Sequence, residues 1–102
     1  MVRSPTGKYF TIEIKSFLAK TFIRFKKKDD VNDLFYIFVD VGQPDEPTAF
    51  YILTGEEAQL EHKAHIESRR PEQQYDHYSS GWGAYYTKIR AYGTNRWDKL
   101  PM

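Results

Sequence analysis

The run Leu34-Phe35-Tyr36-Ile37-Phe38-Val39-Asp40-Val41 is apolar at almost every position. An element exposed on one side alternates or repeats its apolar residues. A run without that relief has to be covered on both faces. Lys26-Lys27-Lys28-Asp29-Asp30 before it reads as a solvated break, and Gly42 to Pro47, with one glycine and two prolines, reads as a loop. The segment is therefore predicted to be the central strand of a sheet.

The runs around it are amphipathic. From Tyr9 to Lys15, Phe10, Ile12 and Ile14 point one way while Tyr9, Thr11, Glu13 and Lys15 point the other. Ser4-Pro5-Thr6-Gly7-Lys8 has the chemistry of a tight turn, because proline presets φ and glycine accepts positive φ. Val2-Arg3-Ser4 before it is then the stub of a strand, and the two form a hairpin. In Thr21 to Lys26, Ile23 and Phe25 oppose Phe22, Arg24 and Lys26. Ala49 to Leu53 supplies another strand.

Thr54-Gly55-Glu56-Glu57 fits a capping box, a threonine N-cap with glutamate three residues on. A helix is predicted over about 55–69, stopped by Pro71. Its apolar face is thin: Ala58, Leu60, Ala64 and Ile66. Pro71 to Gly83 reads as irregular. Tyr85, Thr87 and Ile89 alternate with Tyr86, Lys88 and Arg90, which favours a short strand. Asn95 to Leu100 reads as a helical turn that tucks Trp97 and Leu100 against the body. The sum is one domain over 1–102 of α/β (α+β) class. It has a four- to five-stranded, mostly antiparallel or mixed sheet and one main helix packed on it.

Aromatic residues make up 17% of the 102 residues, enough to fill a compact core in a short chain. The formal net charge of +1 argues against a generic polyanion binder, so any nucleic-acid contact has to come from a local patch. There is no cysteine, which removes disulfides, zinc-thiolate sites and thiol nucleophiles and suits a cytoplasmic protein. No apolar run is long enough to span a membrane, and Met1 to Pro5 has no secretory h-region.

Three groups of residues are candidates for chemistry. Glu13-Ile14-Lys15 puts a carboxylate and an ammonium on one face of a strand, two positions apart. Metal-dependent phosphodiester hydrolysis uses such a pair. The carboxylate helps hold Mg²⁺, and the lysine orients water and offsets charge. The plain alternative is an exposed ion-pair face. His62 and His65 have the spacing of a helical zinc pair, with His77 as a candidate third ligand, or are simply solvated. Lys26, Lys27 and Lys28, with Arg69 and Arg70 and the aromatics Tyr75, Tyr78 and Trp82, are candidates for gripping phosphates and stacking bases. Asp29, Asp30, Glu56, Glu57 and Glu61 weaken that field.

The order of these pieces resembles the PD-(D/E)XK, or restriction-endonuclease-like, superfamily, and most of all its small bacterial branch of uncharacterised nuclease-like proteins. The resemblance runs from the Ser4–Lys8 turn through Phe10-Thr11-Ile12-Glu13-Ile14-Lys15-Ser16, the central strand, Phe50-Tyr51-Ile52-Leu53 and the capped helix to Arg96-Trp97-Asp98. It implies a restriction-endonuclease-like core, with Glu13 as a Mg²⁺ ligand, Lys15 as the catalytic lysine, and DNA as the substrate. The family pattern also has an aspartate before the hairpin and often a preceding helix. No acidic residue stands before Glu13. Two expectations follow: an N-terminally truncated domain whose aspartate is supplied upstream or in trans, or a remnant that has kept the fold and lost the activity. A non-catalytic binding or assembly module is the alternative function. An uncovered sheet face would also favour a homodimer held through Phe10, Ile12, Ile14 or the neighbouring edge.

Overall fold

A computed structural model describes residues 2, 3, 5, 7, 9–28, 30–68 and 82–101. Its strands are β1 (Val2–Arg3), β2 (Tyr9–Phe17), β3 (Phe22–Phe25), β4 (Leu34–Asp40), β5 (Ala49–Thr54) and β6 (Trp82–Tyr85). Its helices are α1 (Gly55–Glu67) and a short α2 (Tyr86–Arg90), followed by a 3-10 turn, Trp97–Lys99. No helix among the described residues is long and apolar enough to cross a membrane.

Four strands form the main sheet in the order β1-β2-β4-β5. The apolar run is indeed its interior strand: six of its seven residues are buried. The sheet is mixed, within the expected range, and one feature departs from a single sheet. β2 and β4 are parallel, with Glu13 beside Tyr36 and Lys15 beside Phe38. A parallel pair needs a crossover, and β3 travels within it. β3 then pairs antiparallel with β6 as a separate two-stranded sheet.

Side chains alternate across β4, so each face of the sheet has its own packing. Leu34, Tyr36 and Phe38 join Tyr51 and Leu53 of β5 in one core with Ile23, Phe25, Trp82, Ala84, Ala58, Tyr86 and Ile89. Phe25 is its hub, edge-on to Tyr36 at 5.0 Å and to Phe38 at 5.2 Å. The opposite face carries Phe10, Ile12 and Ile14 beside Phe35 and Ile37. Phe10 meets Phe35 edge-on at 5.7 Å. At the β5 end the C-terminal segment covers this face. Asn95 N–H donates to the Phe50 carbonyl at 2.8 Å, and Trp97 rests on Phe50 at 5.4 Å.

α1 keeps its predicted start. Thr54 Oγ1 accepts from Glu57 N–H, and the Glu57 carboxylate accepts from Thr54 N–H. Its buried face differs from the expected one: Gly55, Ala58, His62, His65 and Ile66 face inward, while Leu60 is 61% exposed and Ala64 is exposed. The alternating run from Tyr85 is a second correction. Only Tyr85 belongs to a strand, and Tyr86 onward is helical, with Tyr86 and Ile89 buried one turn apart. Ser4, Thr6 and Lys8 of the expected turn, and Pro71 to Gly81 of the irregular stretch, lie outside the described residues. Within the turn Gly7 has φ +88°, the positive φ that favours glycine.

Candidate functional site

β2 runs alongside β4 in a register that puts Glu13 and Lys15 on the Tyr36 and Phe38 face, the side on which β3 lies. Between β2 and β3 is a cleft of about 360 Å³ lined by Glu13, Ile14, Lys15, Arg24, Phe25, Lys26 and Tyr36. The two-residue spacing in Glu-Ile-Lys therefore brings acid and amine to the same cleft. β3 and the residue that follows it add two cations by the same rule. Ile23 and Phe25 are buried, so Arg24 and Lys26 point outward.

Glu13 is held by a lysine from outside the tripeptide. Lys28 Nζ lies 2.9 Å from its Oε1, with both side chains partly exposed. Tyr36 closes the floor, its hydroxyl donating to the Lys26 carbonyl. Burial, and then the negative charge of Glu13, push the Tyr36 phenol well above its usual range. It stays a neutral donor and pins the start of the lysine segment. Lys28 offsets Glu13, and the other charged groups of the lining, Lys15, Arg24 and Lys26, are all cations. An anion is the ligand such a lining stabilises.

A divalent cation fits it poorly. Mg²⁺ is usually held by one or two carboxylates together with waters and phosphate oxygens. Glu13 is the sole acid among the described residues of the lining and already has an ammonium partner. Asp40 shares that face of β4 but lies four residues beyond Tyr36, roughly 13 Å at about 3.3 Å per residue. Asp40 also accepts from Gly42 N–H and lies 3.7 Å from Lys20. Among the described residues no group of three histidines or acids is placed to hold a metal. The Mg²⁺ site expected at Glu13 is thus not complete on these residues.

The other candidates divide. Lys27 and Lys28 line a second cleft of about 550 Å³ with Glu56, Gln59, Leu60, His62, Lys63 and Trp82. Lys28 also reaches Glu13, so the two clefts adjoin along the Lys26–Lys28 segment. Trp82 is 4% exposed, a core residue and not a stacking platform. His62 and His65 are buried packing residues and not solvated, and among the described residues no third ligand joins them. His62 Nδ1 accepts from Gly83 N–H at 3.1 Å, and the His65 ring lies 4.5 Å from Phe22. Arg69, Arg70, Tyr75, His77 and Tyr78 lie outside the described residues. Arg96 forms a double contact with Asp98, at 3.0 Å for each bond, on the exposed surface. Sequence reasoning passed over Arg24 and Lys63. Arg24 was findable, because Arg24-Phe25-Lys26 repeats the spacing of Glu13-Ile14-Lys15.

Compared with known protein families, curated proteins and solved structures, the chain has no significant match in any of the three.

Proposed function

We propose that this chain is a nuclease-like domain whose Glu13–Lys15 cleft binds the phosphodiester backbone of DNA, and that these residues alone bind without cutting. The observation that carries the reading is the cleft lining: Lys15, Arg24 and Lys26 around one carboxylate that Lys28 already offsets. Phosphate oxygens match such a lining, because each ammonium or guanidinium donates charge-assisted hydrogen bonds. The adjoining Lys27 and Lys63 extend the positive field along a path, which suits a strand better than a small anion. The resemblance to the PD-(D/E)XK pattern supports DNA as the polyanion.

A second reading, Mg²⁺-dependent hydrolysis, is favoured by one observation: Glu13 and Lys15 share a face and a cleft. It requires another carboxylate within reach of Glu13, and the described residues of the cleft lining supply none.

Fluorescence anisotropy with a labelled DNA duplex separates the readings. Arg24→Ala with Lys26→Ala should weaken binding on the order of tenfold, as two lost contacts of about 0.7 kcal/mol each imply. Glu13→Gln should bind DNA at least as tightly as wild type, because it removes a negative charge. Unchanged affinity in the double variant would sink the cleft as the binding site. Mg²⁺ binding by calorimetry that vanishes in Glu13→Gln, together with cleavage of the duplex, would establish the hydrolytic reading instead.

A further inference from the structure

β2 is longer than the strand that flanks it. β1 pairs only with Tyr9 and Phe10, whereas β4 pairs with Thr11 through Phe17. Over Thr11–Phe17, no strand among the described residues lies on the side of β2 away from β4. The backbone polarity of that edge follows from two hydrogen bonds. Thr11 N–H donates to the Asp33 carbonyl, and the Phe17 carbonyl accepts from Val41 N–H, both on the β4 side. Successive residues alternate, so Ile12, Ile14 and Ser16 aim their N–H and C=O groups at the open edge.

We propose that this edge is a self-association surface, and that its occupant is β2 of a second copy, antiparallel, with the two-fold axis through Ile14. Three observations converge on that register. First, charge: an axis at Ile14 sets Glu13 opposite Lys15 of the second copy and Lys15 opposite its Glu13. An axis at Glu13 or Lys15 would oppose like charges, which destabilises a strand pair. Second, hydrogen bonding: Ile14 meets Ile14, and Ile12 meets Ser16. These are the residues whose backbone groups already face outward. The Glu13–Lys15 pairs then fall at non-hydrogen-bonded positions, where side chains come closest. Third, packing: Ile14 aligns with Ile37, and Ile37 with Ile52. Exposure along this row climbs from 0% at Ile52 through 8% at Ile37 to 69% at Ile14, the most exposed large apolar side chain described. A second copy would continue the row, isoleucine against isoleucine, and bury its open end.

Length agrees as well. With this register the second copy's Phe17 lies opposite Thr11. β2 ends there, so its strand abuts β1 and does not overlap it. The pairing would also bring both Glu13–Lys15 sets to one face, joining the two clefts across the axis.

The chain has no cysteine, so a single introduced one reports geometry cleanly. Under mild oxidation Ile14→Cys should give a disulfide-linked dimer, because the two axial residues meet at about 5.5 Å between Cα atoms, within disulfide range. Leu18→Cys is nearly as exposed, at 67%, but lies far from the same residue of the second copy in this register and should form no disulfide-linked dimer. Sedimentation of the uncrosslinked protein at tens of micromolar should give twice the monomer mass. Glu13→Lys should shift it toward monomer, and Glu13→Lys with Lys15→Glu should restore the dimer. A monomer throughout, or equal crosslinking at the two positions, would overturn the proposal. None of these readouts involves DNA, so they stand apart from the test of the proposed function.

Discussion

Glu57 links three parts of the chain. Its N–H and carboxylate close the cap with Thr54, and Lys99 Nζ reaches the same carboxylate at 2.9 and 3.2 Å from the C-terminal turn. Lys99 also lies over the Tyr92 ring at 4.8 Å. Burial alone would raise the Glu57 carboxyl. The bonds from Thr54 and Lys99 outweigh it and hold the group below its ordinary range. A carboxyl depressed in the folded state contributes stability above its unfolded value, about 4.3, and loses it as the pH falls through the folded value. Glu57→Gln should therefore cost about 1.5 kcal/mol at neutral pH, and the deficit should shrink in acid. Urea denaturation at neutral pH and again well below the ordinary glutamate range checks this. An equal deficit at both would show that the charge contributes nothing. The cap was legible from Thr54-Gly55-Glu56-Glu57, since all its partners lie within one turn. Lys99 was not, because nothing local marks a contact made across the whole helix and α2.

Gly55 shows how an element is fixed by what it touches. A Cβ there would lie 2.9 Å from the Val31 carbonyl oxygen and 3.0 Å from Leu34 Cβ. In an open helix, glycine to alanine gains up to about 1 kcal/mol. Here one clashing atom is backbone and the other belongs to a buried strand residue, so neither yields easily. Gly55→Ala should destabilise by about 1 to 3 kcal/mol, read as a lower midpoint in thermal or urea unfolding. A neutral or stabilising result would mean that α1 can lift off β4 at little cost. The helix itself was readable in the sequence, but its inward face was not. Gly55, Ala58, His62, His65 and Ile66 form a regular stripe at helical spacing. Counting only apolar residues hid it, because two of the five are imidazoles packed on aromatics. The tail failed for another reason. Tyr85, Thr87 and Ile89 have strand spacing, and Tyr86 and Ile89 have helical spacing. The bond from Tyr86 N–H to the Thr21 carbonyl, made across the fold, marks where the strand gives way to the helix.

Across the whole molecule, near-neutrality conceals an uneven field. Positions and faces could be read from the alternation of β2 and β3, so the sequence alone placed Glu13 and Lys15 on one side. Which strands adjoin could not be read. Sequential strands are usually neighbours, yet β3 leaves the main sheet and lies over it. That departure is what sets Arg24 and Lys26 against Glu13 and Lys15, so the cleft is a product of topology more than of any motif. Its partner should be revealed by salt. Each phosphate contact releases counterions and contributes about 0.9 to the slope of log affinity against log salt. Lys15, Arg24 and Lys26, with a share from Lys27 and Lys63, imply a slope of roughly 3 to 4 per chain for a DNA duplex, at that 0.9 per contact. Generic attraction to a protein of net charge +1 should give a much shallower one. Lys28 has Glu13 to satisfy, so Lys28→Ala should change the slope little, whereas Lys26→Ala should lower it by about 1. Anisotropy titrations at several salt concentrations measure both. If Lys26→Ala and Lys28→Ala fall on the same line as the unaltered chain, the phosphates lie elsewhere and the cleft is only an ion-paired surface between two sheets.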